Sequence, residues 1–164
     1  MTNQTTSPRD IAFGSAAGFL AFGFGSGLAP LAPGSAGTLA AIPLGILLMA
    51  LPDYWQWLAV GLAFVLGIWI CQQASDELGV HDHGGIVWDE IVGYWLVLIF
   101  VPATANGFIG AFVLFRFFDI VKPWPIRWLD RKLKGGLGIM LDDALAALFA
   151  ILSWLLIGRI LQSI

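Results

Sequence analysis

The chain has 164 residues, 59% of them hydrophobic and only 12% charged, with a mean hydropathy of +0.85 and a formal net charge of −3. This is the composition of a membrane protein, and the lack of a long Lys/Arg run argues against a nucleic acid as partner. The single cysteine, Cys71, excludes an intrachain disulfide and a thiolate metal cluster.

Arg9 and the apolar run after it mimic a secretory signal, but further apolar spans follow and we expect no cleavage. The run Ile11–Ala29 carries Gly14, Gly18, Gly23, Gly25 and Gly27, a density that suits close helix packing or a re-entrant hairpin. Pro30–Gly37 reads as a loop. A helical hairpin follows, Thr38–Leu51 and Tyr54–Ala74, broken at Pro52-Asp53 and anchored at an interface by Trp55 and Trp57. The polar stretch Ser75–Gly85 leads into a second hairpin, Ile86–Val101 and Phe108–Val121, turning at Pro102–Gly107. A loop over Lys122–Gly138 holds five of the eight Lys and Arg residues, and a last helix runs from about Ile139 to Leu161. The runs are short against the ~20 residues of a typical span, so the bundle is thin or tilted. The expected fold is all-α: a small polytopic membrane bundle of about five to six helices in one domain, residues 1–164, whose first segment either spans or re-enters.

The positive-inside rule places the basic loop in the cytoplasm. Alternation then puts 30–37, 75–85 and 122–138 on that same face, and three acidic signatures converge there. Asp89 and Glu90 lie in the first turn of one helix, Asp119 in the last turn of another, and Asp142 and Asp143 in the first turn of the final one. An ionisable group within a span costs roughly 2.5–3.5 kcal/mol, so such groups are paired, metal-bound or facing water.

Each signature also has a plainer reading. Arg116, Asp119 and Lys122 fall at i, i+3 and i+6, which places Asp119 between two cations and also describes a self-neutralised interfacial triad. Asp142 and Asp143 can serve the helix dipole, but one carboxylate suffices for that. Two of them after the flexible GGLG suit a metal such as Mg2+, which takes oxygen ligands at fixed angles. Asp89 and Glu90 point about 100° apart on a helix, so at least one faces the bundle interior. In APLAPGSAGT, the amides and hydroxyls of Gly34, Ser35, Gly37 and Thr38 can cradle a phosphate or simply form a turn. His81 and His83 flank Asp82 with a spacing that can bind a transition metal or shuttle protons, or merely be hydrated. Trp88, Trp124 and Trp128, three of the eight tryptophans, are expected at the headgroup level.

Carboxylates able to hold divalent cations, beside an Arg and a Lys, suit hydrolysis of a phosphate ester on a lipid whose acyl chains remain in the bilayer. In order, APGSAGTLAAIP, GVHDHGGIVWDEIVG, FRFFDIVKPWPIRWLD and GGLGIMLDDALA resemble the phosphatidylglycerophosphatase A family of bacterial inner-membrane lipid phosphatases, over roughly Gly25–Ala147. One departure is that the family's usual PGT-x-GS reads PGSAGT here, which exchanges the two hydroxyl residues. The resemblance implies Mg2+-dependent removal of the terminal phosphate of phosphatidylglycerophosphate, giving phosphatidylglycerol and inorganic phosphate. It places Asp89, Glu90, Arg116, Asp119, Lys122, Asp142 and Asp143 in the active region. On our reading the five carboxylates are the ligand pool, with Asp89, Glu90, Asp119 and Asp143 catalytic. Arg116 and Lys122 clamp phosphate, and Gly34, Ser35 and Thr38 assist. The competing reading is a small cation- or proton-coupled transporter, which needs its carboxylates nearer the midplane. A structural partner in a lipid-synthesis complex leaves the buried Asp89-Glu90 pair without a role.

Overall fold

The computed structural model describes residues 7–163, which are helical without strands. In chain order the elements are α1 (Pro8–Gly14), α2 (Ala16–Ala21), a 3-10 segment (Gly23–Leu28), α3 (Pro33–Met49), α4 (Asp53–Leu78), α5 (Trp88–Leu98), α6 (Ala105–Val121), α7 (Ile126–Lys132) and α8 (Gly135–Gln162).

The first apolar run is not one continuous helix. Ser7 caps α1 by accepting from the Asp10 N–H, and Ser15, in extended backbone, caps α2 by accepting from Gly18 N–H. Phe24 and Gly25 then adopt φ of 60° and 93°, which ends regular helix. Each piece is far shorter than the ~20 residues of a span.

Two of the remaining helices, α4 with 26 residues and α8 with 28, are long and apolar enough to cross a membrane. Their most apolar windows are only 33% and 22% buried, leaving Leu62, Val65 and Trp69 of α4 and Leu152 and Leu156 of α8 exposed. In water each such side chain forfeits roughly 1.5–3 kcal/mol of burial; in lipid that penalty vanishes.

α8 is the spine, packing against α4, α5, α6 and α7, while α3 packs on α5. Close approach depends on glycine at two crossings of α4 and α8. A Cβ on Gly136 would meet the Ile68 carbonyl and lie 2.8 Å from Gln72 N, and one on Gly67 would lie 2.5 Å from Met140 Sδ. The GGLG segment expected to bring backbone toward a ligand therefore serves helix packing. The Gly136 N–H donates to Gln72 Oε1 at 2.8 Å, and Cys71 Sγ lies buried 4.0 Å from Met140 Sδ.

Three expectations are corrected here. PGSAGT is not a loop: Pro33 occupies the first turn of α3, where its missing N–H costs nothing, so the helix starts five residues before Thr38. The basic loop contains α7, and α8 begins at Gly135, so Asp142 and Asp143 lie two turns into the helix, about 11 Å from its start, rather than in its first turn. Trp88 is buried and donates its indole N–H to the Ala63 carbonyl at 3.0 Å, whereas Trp124 and Trp128 are exposed.

Candidate active site

Five helix ends meet at one end of the bundle. The start of α3 meets α5 and α6 where Gly34 faces Glu90 and Arg116; the end of α4 meets the start of α8 at Gln72 and Gly136. Lys122, just past α6, reaches Asp142. The three acidic signatures do converge.

Asp89 is buried and Glu90 half-buried in the first turn of α5, while Asp142 and Asp143 are both buried in α8. Arg116 ties the cluster across helices: its Nη1 lies 2.6 Å from Asp119 Oδ2, one turn along α6, and 3.4 Å from Glu90 Oε1. Gly34 fits flush against that pair, since a Cβ there would fall on Glu90 Oε1 and within 2.9–3.0 Å of both Arg116 Nη atoms.

Asp119 does not lie between two cations. Lys122 caps α6 with φ of 43°, which takes its side chain off the i, i+3, i+6 face. Its ammonium pairs instead with Asp142 and, at 3.4 Å, with Asp130. Burial acts to lower the Lys122 pKa, but Asp142 outweighs it and holds the group above its ordinary range, so Lys122 is a cation at any working pH. Asp130 was not anticipated from sequence, because its link to Lys122 depends on the turn into α7.

The hydroxyl of Thr38 is already committed, donating to the Gly34 carbonyl at 3.0 Å inside α3. Ser35 is half-buried on the first turn. His83 accepts from the Gly85 N–H through Nδ1 at 3.0 Å, while His81 and Asp82 are exposed. Ser75 is a second residue missed from sequence, a buried hydroxyl near the end of α4.

One oxygen from each of Asp89, Glu90 and Asp143 lies within 4.8 Å of the other two. Two oxygens on one Mg2+ are at most about 4.2 Å apart, twice the ~2.1 Å bond, so small side-chain rotations close the set. Asp89 Oδ1, Glu90 Oε2, Asp142 Oδ1 and Asp143 Oδ2 are buried with no hydrogen-bond partner among the described residues, and so are Arg116 Nε and Ser75 Oγ. Buried polar atoms are nearly always partnered. A hard divalent cation satisfies the oxygens, and an anion satisfies the guanidinium N–H, so the donor set fits a metal with a bound anionic group.

The fold and site together define a lipid-facing helical bundle with a carboxylate centre, flanked by an Arg and a Lys, at one end. A family profile described as phosphatidylglycerophosphatase A matches residues 19–158, and the chain belongs to that family. A relative named phosphatidylglycerophosphatase A in Escherichia coli (strain K12) is 48% identical over 132 residues, 80% of this chain and 77% of its own. A protein of the same name in Haemophilus influenzae is 50% identical over 135 residues, 81% of this chain and 83% of its own. A Bacteroides thetaiotaomicron protein, provisionally named a phosphatidylinositol-3-phosphatase, is 40% identical over 136 residues, 78% of this chain and 84% of its own. No solved structure gives a significant match.

Proposed function

We propose that this chain is a phosphatidylglycerophosphatase that removes the terminal phosphate of phosphatidylglycerophosphate, yielding phosphatidylglycerol and inorganic phosphate. The observation that carries the reading is the coincidence, at one place, of four unpartnered carboxylate oxygens and an unpartnered guanidinium N–H. A cation site alone leaves Arg116 Nε unexplained, and an anion site alone leaves the carboxylates. The transporter reading draws no support from a cluster that takes Asp89 and Glu90 from the first turn of α5 and Asp119 from the last turn of α6.

Asp89, Glu90 and Asp143 would hold Mg2+, with Asp142 beside them. Bound there, the ion supplies charge neutralisation for phosphoryl oxygens and a lowered pKa for the attacking water. The protein's own groups do the rest. Arg116, braced by Asp119, directs its free Nε–H at a phosphoryl oxygen, a charge-assisted bond of the stronger kind. Lys122 adds a second positive charge from the end of α6, held by Asp142 and Asp130. Asp119 and Asp142, which pair with Arg116 and Lys122 and stand outside the Asp89, Glu90 and Asp143 set, are the carboxylates left to take the proton of the attacking water. The start of α3, at Gly34 and Ser35, adds the positive end of its dipole, while Thr38 acts by fixing that first turn.

We further place the protein in the bacterial inner membrane as a multi-pass bundle with the site on the cytoplasmic face. The five cations Lys122, Arg127, Arg131, Lys132 and Lys134 lie between α6 and the start of α8, and the first of them, Lys122, pairs with Asp142 of the site. The broken segment α1, α2 and Gly23–Leu28 enters and leaves by the same face. The test is phosphate release from phosphatidylglycerophosphate in detergent micelles, with Mg2+ or with excess EDTA, for the native chain and Asp143→Asn. Release that requires Mg2+ and disappears in the variant is expected. No release by folded native protein sinks the reading, and EDTA-resistant release discards the metal.

A further inference from the structure

An apolar groove of about 360 Å³ lies between α4, α5 and α8, within the roughly 300–1,000 Å³ range of ligand pockets. Its floor is buried Val92 and Met140, and its rim is exposed Trp57, Gly61 and Val65, so it opens sideways, toward lipid. One end abuts the carboxylate centre. Ala144 follows Asp143 directly, and Gly93, opposite, would place a Cβ 3.3 Å from the Asp143 carbonyl. The other end is Trp57, eight residues up α4 from Val65 at the near end and so about 12 Å away along the helix.

We propose that this groove seats one acyl chain of the substrate and thereby fixes the direction from which the phosphate meets Asp143, an inference that rests on the lipid-phosphatase reading above. Three features select an acyl chain as the occupant. The groove carries almost no polar surface, it opens on the lipid-facing side of two candidate spans, and it is continuous with the site where the headgroup is hydrolysed. An acyl chain gains little hydrophobic energy by leaving lipid for an apolar groove, because lipid tails are as apolar as the lining. What it gains is orientation. Binding of a remote part of the substrate restricts the reacting part, so the groove acts chiefly on kcat.

Gly61 gives a clean test, because a Cβ there has nothing within 4 Å, and Trp replaces Gly inside a helix without a propensity penalty. Gly61→Trp fills the groove from its rim. Gly158→Trp adds the same ring to an equally open position on α8 away from the groove and serves as control. Each is assayed with dioleoyl and with dihexanoyl phosphatidylglycerophosphate. The native protein is expected to prefer the long chain, and Gly61→Trp to lower kcat/KM for dioleoyl substrate by about tenfold while leaving dihexanoyl turnover and Gly158→Trp unchanged. Trp57→Ala, which opens the far end, is expected to lengthen the chain at which kcat/KM stops rising, and it decides the matter if Gly61→Trp does not fold. Equal loss on both substrates, or no change in chain-length preference in either variant, overturns the proposal. Absence of phosphate release from either lipid by the folded native chain is a different failure, that of the phosphatase reading itself.

Discussion

Gly34→Ala separates the fold from the site more sharply than any carboxylate substitution. Gly34 has ordinary helical backbone in the first turn of α3, so alanine suits the chain, and Gly→Ala within helices adds up to about 1 kcal/mol of stability. The new methyl nevertheless occupies the place of Glu90 Oε1 and crowds both Arg116 Nη atoms. These are the tips of flexible side chains, so the fold yields cheaply. The carboxylate must retreat by about 1 Å to reach ordinary contact, and a misplacement of that size costs on the order of 100-fold in rate. The expected result is an unfolding temperature unchanged or raised, with kcat/KM for phosphate release down about 100-fold, or about 2.7 kcal/mol. The assays are thermal unfolding in detergent and phosphate release under the same conditions. Activity within about threefold of native in a folded variant would refute the close fit of Gly34 against Glu90 and Arg116.

Mg2+ at about 100 times its Kd is expected to stabilise the native protein by about 2.7 kcal/mol. Asp143→Asn should abolish that shift without lowering stability in EDTA, since it removes one charge from a like-charged cluster; a retained shift would move the ion elsewhere. Arg116→Lys keeps the charge but loses Nε–H and the fork that meets both Asp119 and Glu90. We expect kcat/KM to fall about 10- to 100-fold, matching one lost charge-assisted bond, and a native rate would remove Arg116 from phosphate binding. Lys122→Met leaves the buried Asp142 without its cation. Losing one partner of a buried pair costs about 3–5 kcal/mol, reduced here to roughly 1–3 because Lys122 is partly exposed; denaturant unfolding measures it, and no loss would mean that water replaces the ammonium.

The carboxylates were legible because charge in an apolar chain has few explanations, and Asp89, Asp142 and Asp143 are buried and Glu90 half-buried, as that argument requires. Helix periodicity predicted the Arg116–Asp119 pair but was carried one residue too far at Lys122, where a left-handed cap before Pro123 ends the repeat. Reading PGSAGT as a loop weighted its Pro and Gly as turn formers. Pro at the first helical position is equally a start signal, and the difference lay in the apolar continuation through Pro43. Trp88 shows the limit of the aromatic-belt rule: an indole near a charged motif can go inside whenever a carbonyl such as that of Ala63 is within reach. Hydropathy alone placed an apolar run at Ile11–Ala29 but not its breaks, which depend on the caps at Ser7 and Ser15 and on local φ at Phe24 and Gly25.

The charge balance of the site links its two ligands. Asp89, Glu90, Asp119, Asp142 and Asp143 face Arg116 and Lys122, five acidic side chains against two cations, and Asp130 also shares Lys122. A phosphate dianion approaching that centre meets more acidic groups than cations to hold it, whatever Arg116 contributes locally. A divalent cation offsets that excess, so phosphate affinity must rise with metal occupancy. Linkage makes the coupling reciprocal: metal affinity must rise with phosphate by the same factor, and couplings of this kind are typically about 5- to 150-fold. Inorganic phosphate, the expected product, is therefore predicted to bind weakly in EDTA and to inhibit more strongly as Mg2+ is raised, while the Mg2+ midpoint for thermal stabilisation falls by the same factor in phosphate. Phosphate binding that is equally tight in EDTA would mean that Arg116 and Lys122 hold the anion unaided, and that the carboxylates are held in place by partners other than a metal.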